Sequence, residues 1–147
     1  FQAPWLPERR LTRDGAVLVE QILRTGAGRQ WRSSSEFTEV TRRYRQAMRI
    51  PAAAHCALEY YRWVGRAQFR FDGRRLSRAV DRAIRVPVLQ VHGLDDPYVL
   101  ETTARRSACW AGDGYRYEVL PDIGHFVQQE APQCTTALLT EFLTATG

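Results

Sequence analysis

A chain of 147 residues is about the size of one domain, and 44% hydrophobic with 25% charged residues is ordinary for a globular protein. No apolar run approaches the roughly 20 residues that a membrane-spanning helix needs, and the first residues lack the order of a signal peptide, so we expect a cytoplasmic protein. All 21 basic residues are arginine and are scattered among acids, so the formal charge of +5 indicates solvated helix faces rather than a nucleic-acid site.

The three cysteines give no sign of a disulfide framework or a metal centre. Cys56, Cys109 and Cys134 are odd in number and far apart in the sequence. They lack Cys-x-x-Cys spacing, and no paired histidines stand at zinc-ligand intervals. We therefore interpret them as reduced, structural thiols, and expect neither a metal nor a cofactor.

The first half of the chain predicts three helices. Residues 1–8 form a proline-broken apolar stretch that is typical of the interior of a longer chain. The first helix has its N-cap candidates at Thr12-Arg13-Asp14 and ends at Gly26 to Gly28. Ser33 and Glu36 have the spacing of a capping box, and the apolar residues after them predict a second helix that extends to about Ala47.

The third helix of this half begins near Pro51, which suits a first turn, and ends near Gly65. Leu58, Tyr61 and Val64 recur along it at helical spacing. A turn is expected after it at Asp72-Gly73. The three predicted helices make the first half a helical region without strands.

From Ile84 the pattern changes to strands alternating with helices. Residues 86–92 are a short β-branched run, as expected of a strand buried on both faces. A helix over about 99–110, a turn at 111–114, a second strand over 115–120 and a loop over 121–125 follow. The chain closes with an amphipathic helix whose apolar stripe comprises Thr135, Leu138, Leu139, Phe142 and Leu143.

This order predicts an α/β fold in which a helical region, residues 1–83, precedes an α/β region, residues 84–147. A strand-helix-strand unit is normally parallel and right-handed, and parallel sheets need helices on both faces. Two parallel strands alone leave apolar edges exposed, which is a liability for a soluble protein. We therefore expect an incomplete fold whose further strands lie upstream of Phe1.

Two polar groups follow the two predicted strands. Gly93-Leu94-Asp95-Asp96 comes after the first strand, and Gly124-His125 comes after the second. Ligands of open α/β sheets bind beyond the carboxyl ends of the strands. Because neighbouring strands lie about 4.8 Å apart, side chains at their tips can meet if the strands pair directly. A carboxylate there would orient the imidazole, which could then activate a hydroxyl or a water.

These motifs resemble the α/β-hydrolases. Residues 86–97 are similar to the strand and turn that carry the acid, and residues 124–132 to the histidine loop, with the acid first and the histidine 29 positions later. The family pattern places the acid third after the glycine, which selects Asp96 over Asp95. Asp96 could instead cap a helix, and His125 could be a loop histidine bonded to a backbone carbonyl. His55 and His92 have no partner in the motif and are interpreted as structural.

The helical region resembles the cap of epoxide hydrolases. Residues 1–8 are similar to one cap segment, and residues 58–63 to the cap helix that ends in Tyr-Arg. The resemblance implies that Tyr61 donates a hydrogen bond to the epoxide oxygen, which a phenol can do as charge builds on that oxygen. The alternative is packing, since Tyr61 shares a face with Leu58 and Val64. Tyr60 and Trp63 are interpreted as packing residues.

The nucleophile that the resemblance implies is missing from these 147 residues. The family uses an aspartate on a sharp strand-to-helix turn, and the sequence has neither a Gly-x-Asp-x-Gly nor a Gly-x-Ser-x-Gly motif. We therefore expect half of a hydrolase for a small apolar substrate, an epoxide or an ester, that is inactive and poorly soluble by itself. The alternatives are part of a serine-type hydrolase, such as an esterase or carbon–carbon bond hydrolase, and a truncated homologue without catalysis. The sequence leaves the oligomeric state open.

Overall fold

The computed structural model describes residue 3 and residues 5–146, so Phe1, Gln2 and Pro4 of the opening cap-like segment lie outside the described residues. The helices of the first half are α1 (Leu6–Gly26), α2 (Arg29–Arg32), α3 (Ser35–Met48), α4 (Ala53–Ala67) and α5 (Phe71–Val80). The second half contains β1 (Val88–Gly93), α6 (Glu101–Arg105), a 3-10 helix (Arg106–Trp110), β2 (Tyr115–Leu120), α7 (Val127–Glu130) and α8 (Pro132–Thr146).

The chain folds as two compact units. The first comprises the described residues up to 23 together with residues 38–82, and the second comprises residues 24–37 and the described residues from 83 on. The break after residue 82 lies beside the boundary expected at 83. Residues 24–37, however, pack in the second unit rather than with the rest of the region 1–83, because the N–H of Gly28 donates to Glu130 on α7 and Trp31 packs against Phe126.

The core of the first unit lies along one face of α1 and one face of α4. Leu11, Val19 and Leu23 are buried on α1, and Ala54, Leu58 and Arg62 form a buried stripe at four-residue spacing on α4. Arg62 is only 4% exposed, and its guanidinium is paired with carboxylates. Its guanidinium donates to both carboxylate oxygens of Glu8, and this hydrogen bonding lowers the pKa of Glu8 to about 2. A buried arginine is thus held by the carboxylate that a buried charge requires.

α1 consists of two helices joined by a kink that spans Arg13 to Ala16, and the first predicted helix corresponds to the part of α1 after this kink. The part before it, which begins at Leu6, was not predicted. Arg45 stabilises this kink by donating to the carbonyl oxygen of Gly15 at 2.8 Å.

Two local predictions for the first half are wrong, namely the capping serine and the turn at Asp72-Gly73. Ser34, not Ser33, caps α3, because its Oγ accepts from the backbone N–H of Phe37 at 3.1 Å. Asp72-Gly73 starts α5 rather than forming a turn, because an aspartate is favourable in the first helical turn and here also accepts from the N–H of Gly73. The short helix α2 was not predicted at all.

The second unit contains the sheet. β1 and β2 pair directly and in parallel, with Val88 opposite Tyr115 and Gly93 opposite Leu120, so that both carboxyl ends reach the same edge. This is the pairing that the sequence analysis required. Residues 88–91 and all of β2 are only half-buried, so the expectation of a strand buried on both faces is wrong here. The described helices leave part of each strand of this two-stranded sheet accessible to solvent.

Residues 24–37 complete the core of the second unit with aromatic side chains. Trp31 packs edge-on against Phe37 at a centroid distance of 5.1 Å and against Phe126 at 6.1 Å. Trp31 and Phe37 are both buried, and Arg24 lies over the ring of Phe37. Phe126 directly follows His125, so this cluster packs against the histidine loop.

We expect Gly93→Ala to destabilise the second unit by about 1–3 kcal/mol, the usual range for a forced steric overlap in a packed site. An added Cβ would lie 2.0 Å from the carbonyl oxygen of Gly124 and 2.5 Å from that of Ile123, and backbone atoms cannot move aside as a flexible side chain can. Gly112→Ala is the matched control, since its Cβ would meet its nearest atom at 3.4 Å, an ordinary contact. Urea denaturation of both variants measures the difference. Equal midpoints would show that the turn after β1 has more room than the structure gives it.

Candidate active site

The turn after β1 brings Asp96 to His125. Asp96 Oδ2 lies 2.8 Å from His125 Nδ1, and the Asp96 side chain is 5% exposed while that of His125 is 39% exposed. Asp95, the alternative candidate, is exposed, and its backbone N–H donates to the carbonyl oxygen of Ile123. Of the two aspartates, the structure therefore brings only Asp96 to the imidazole.

The second oxygen of Asp96 holds the turn in place. Oδ1 accepts from the backbone N–H groups of Tyr98 at 2.8 Å and Val99 at 3.2 Å. The alternative role of Asp96 as a helix N-cap is not observed, because α6 begins at Glu101 with Leu100 at the cap position. One carboxylate thus fixes its own loop with one oxygen and the imidazole with the other.

The environment keeps Asp96 ionised. Burial raises the pKa of this carboxyl, but the hydrogen bonds from His125, Tyr98 and Val99 outweigh it, so the pKa lies below its ordinary value. Because the pKa of Asp96 is lower in the folded than in the unfolded protein, its ionisation adds to the free energy of unfolding. This contribution is fully present above the unfolded pKa of about 4 and is lost as the pH falls through the folded pKa. At neutral pH Asp96 therefore acts as an acceptor for a proton on Nδ1 of His125, which leaves Nε2 able to accept a proton.

Aromatic rings fix the imidazole on two sides. Tyr98 and Phe126 both meet His125 edge-on, at centroid distances of 5.1 and 5.2 Å. Burial, with the nearby charge of Asp96 adding to it, raises the pKa of Tyr98, so its phenol stays neutral beside the ring. This arrangement limits rotation of the imidazole away from Asp96.

A cavity of about 320 Å³ opens beside the pair. Asp96 and His125 both line it, together with Gln90 and His92 on β1 and Ser107 on the 3-10 helix. His92 is buried and stacks on Tyr117, and its Nε2 has no hydrogen-bond partner among the described residues. The sequence analysis treated His92 as structural and did not expect it beside the candidate acid and base.

Tyr61 lies in the first unit, on α4, and is 57% exposed. Its ring meets that of Tyr60 edge-on. Tyr60, Tyr61 and Trp63 are all exposed, because the buried stripe of α4 contains Leu58 and Arg62, which lie at a different angle around the helix. Tyr60 and Trp63 therefore do not pack in the core of the described residues, and neither does Tyr61.

The remaining residues singled out by the sequence, His55 and the three cysteines, do not line the cavity beside the candidate acid and base. His55 lies on α4, where its Nδ1 is 3.3 Å from a carboxylate oxygen of Glu8. Cys56, Cys109 and Cys134 are free and exposed, so they do not pack in a core as structural thiols would. The described residues contain no group of three or more histidine, cysteine or acidic side chains placed to hold a metal ion. Among the same residues, no helix is long and apolar enough to span a membrane.

Comparisons with known proteins point to one fold. No protein-family model matches the chain. The chain is 40% identical over 63 residues to Epoxide hydrolase A of Mycobacterium tuberculosis, a match that covers 43% of this chain and 20% of that protein. Its fold is similar to a crystal structure of a variant of aCif, with a TM-score of 0.68, 20% identity and coverage of 97% of this chain and 42% of that one.

A second solved structure is that of Est816, described as an N-acyl homoserine lactone degrading enzyme. It matches with a TM-score of 0.60 and 19% identity, over 95% of this chain and 52% of that one. The chain thus spans about half, or less, of the length of the proteins it matches. These findings confirm the predicted fold class and the predicted resemblance: the chain has part of an α/β-hydrolase fold and is epoxide hydrolase-like.

Proposed function

We propose that the complete protein carrying this chain hydrolyses epoxides to vicinal diols. The observation that carries the proposal is the 2.8 Å hydrogen bond between Asp96 and His125 at the ends of adjacent parallel strands, beside a cavity. The 40% identity to Epoxide hydrolase A over 63 residues supports the reaction class. The ring nitrogen that does not face Asp96 is the base that such a hydrolysis needs.

In the first step a carboxylate supplied by an upstream aspartate attacks one epoxide carbon. The carbon–oxygen bond of the ring breaks, an ester forms, and the negative charge develops on the epoxide oxygen. Tyr61 would donate its phenolic hydrogen bond to that oxygen, which its exposure on α4 supports. The oxygen takes the phenolic proton and becomes the first hydroxyl of the diol, which leaves a phenolate at Tyr61 that is reprotonated in the second step.

In the second step His125 acts as the general base. Its Nε2 takes a proton from water as the water oxygen attacks the ester carbonyl, and Asp96 stabilises the imidazolium that forms. The ester bond then breaks and the alcohol oxygen takes the proton from the imidazolium. The upstream carboxylic acid that forms gives up its proton, by way of solvent, to the Tyr61 phenolate, so that the carboxylate and the phenol are both regenerated. Water is the only co-reactant, so the reaction needs neither a redox partner nor a metal.

The second candidate is a serine-type hydrolase of esters or lactones. The similarity to Est816, a lactone-degrading enzyme, favours it, and Asp96 and His125 would keep their relation in such an enzyme. The two candidates differ in one residue, the nucleophile upstream of this chain. A homologue without catalysis is the remaining alternative. We further propose that the protein is cytoplasmic, where its three free cysteines would stay reduced.

The experiment is to express the chain together with the reading frame that precedes it, and separately residues 1–147, and to assay each with an epoxide and with an ester of similar size. We expect the longer protein to convert the epoxide to its diol and the shorter chain to be inactive. Preferential hydrolysis of the ester would favour the serine-type candidate. Turnover by residues 1–147 alone would overturn the proposal that the nucleophile lies upstream.

A further inference from the structure

The carboxylate of Glu130 accepts three backbone hydrogen bonds at the histidine loop and at the segment that packs on it. Its Oε2 accepts from the N–H groups of Gly28 and Gly124, both at 2.8 Å. Its Oε1 accepts from the N–H of Phe126 at 3.0 Å. Gly124 and Phe126 are the two neighbours of His125, so the carboxylate holds the backbone on both sides of the imidazole-bearing residue.

The same junction includes a segment far away in the sequence. The backbone N–H of His125 donates to the carbonyl oxygen of Gly26 at 2.8 Å, two residues before the Gly28 N–H that Glu130 binds. Glu130 and Gly28 are 102 positions apart. The candidate base is therefore fixed by residues 26–28 as well as by its own loop.

Glycine is required at this junction because the backbones approach too closely for a side chain. A Cβ on Gly124 would lie 2.2 Å from the carbonyl oxygen of Gly26. A Cβ on Gly28 would lie 2.5 Å from the carbonyl oxygen of Asp122 and 2.7 Å from Glu130 Oε2. The glycines allow the two segments to come together, and the carboxylate joins them.

We propose that Glu130 is the positioning residue for His125, and that with residues 26–28 it sets the imidazole against Asp96. An ionised carboxylate is an acceptor only, and three N–H groups occupy its oxygens, so Glu130 holds the loop rather than transferring protons. The inference rests on the proposed function only in treating His125 as the catalytic base. The positioning itself is independent of the nucleophile and of the substrate.

The test uses the complete protein that carries this chain, labelled with ¹⁵N, and its Glu130→Gln variant. Glutamine has the same shape, but its NH₂ group would face at least one of the three N–H donors. We expect the Nδ1–H proton of His125, hydrogen-bonded to Asp96 in the parent, to exchange with water at least about tenfold faster in the variant, the factor for losing a hydrogen bond to a charged group. Glu141→Gln is the control, because the exposed Glu141, which lies on α8, pairs with Arg116 on β2 and not with the histidine loop. An unchanged Nδ1–H exchange rate in a folded Glu130→Gln protein would overturn the proposal.

Two further measurements keep the test decisive if that variant does not fold. Gly28→Ala disturbs the same junction from residues 26–28, and we expect this variant by itself to accelerate the exchange of the His125 Nδ1–H proton. In the parent protein the amides of Gly28, Gly124 and Phe126 must be protected from hydrogen exchange, and rapid exchange there would refute the junction without any substitution. None of these readouts involves an epoxide, so failure of the proposed reaction would leave them unaffected.

Discussion

Asp96→Asn is expected to lower the turnover of the complete enzyme by a factor on the order of 10⁴, the loss seen when the aspartate of a Ser-His-Asp enzyme is replaced in the same way. The reason lies in how the site satisfies its hydrogen bonds. Oδ1 of Asp96 accepts from the N–H groups of Tyr98 and Val99, so the single oxygen of an asparagine would stay there. The NH₂ group would then face Nδ1 of His125.

This exchange reverses the roles of the two ring nitrogens. Nδ1 would have to accept a hydrogen bond, so the proton would move to Nε2, and Nε2 could no longer take a proton from water. Geometry would be nearly unchanged, because the side chains have the same shape. Steady-state kinetics gives the loss of kcat, and ¹⁵N chemical shifts of the ring nitrogens report the tautomer.

Asp95→Asn is the matched control for this prediction. It makes the same chemical change one residue away. The side chain of Asp95 is exposed, and the backbone N–H of Asp95, which the substitution keeps, donates to the carbonyl oxygen of Ile123. We expect its kcat to equal that of the parent. A large loss in Asp95→Asn, or full activity in Asp96→Asn, would show that the acid has been assigned to the wrong aspartate.

The sequence was sufficient to predict the elements that depend on local patterns. β2 occupies residues 115–120 as predicted, because a β-branched and aromatic run between a glycine turn and a proline allows few other structures. The two strand ends predicted that an aspartate would meet His125, and the resemblance to the α/β-hydrolases selected Asp96 over Asp95. The rule that ligands bind at the carboxyl ends of parallel strands then selected that sheet edge.

The features that the sequence did not reveal depend on contacts between distant residues. Gly26 and Gly28 were interpreted as the end of a helix, and Gly26 does end α1 while Gly28 stands directly before α2. Their close approach to Gly124 depends on the fold and could not be predicted from local sequence. Glu130 resembled any glutamate that follows a histidine loop, and nothing local indicates that it binds an N–H group 102 positions away. Similarly, the burial of Arg62 cannot be read from its own helix, because its partner Glu8 lies on another helix.

His125→Gln is expected to separate the two proposed reactions. Attack on an epoxide by an ionised aspartate needs no base, so the ester would still form, while its hydrolysis would slow by a factor on the order of 10²–10⁴ without the base. The enzyme should therefore accumulate as the covalent ester, and intact-protein mass spectrometry should show one added substrate mass per chain. A serine hydroxyl, in contrast, needs the histidine to remove its proton before it attacks.

The same variant in a serine-type enzyme would accordingly lose activity without accumulating an adduct. His55→Gln is the control, since this exposed histidine lies on α4 and contacts Glu8 rather than Asp96. We expect it to turn over the epoxide normally and to show no added mass at steady state. Loss of turnover in His125→Gln with an unmodified mass would exclude the aspartyl-ester mechanism. An adduct that water slowly releases as the diol would instead show that His125 acts in the second step and that the upstream carboxylate performs the first.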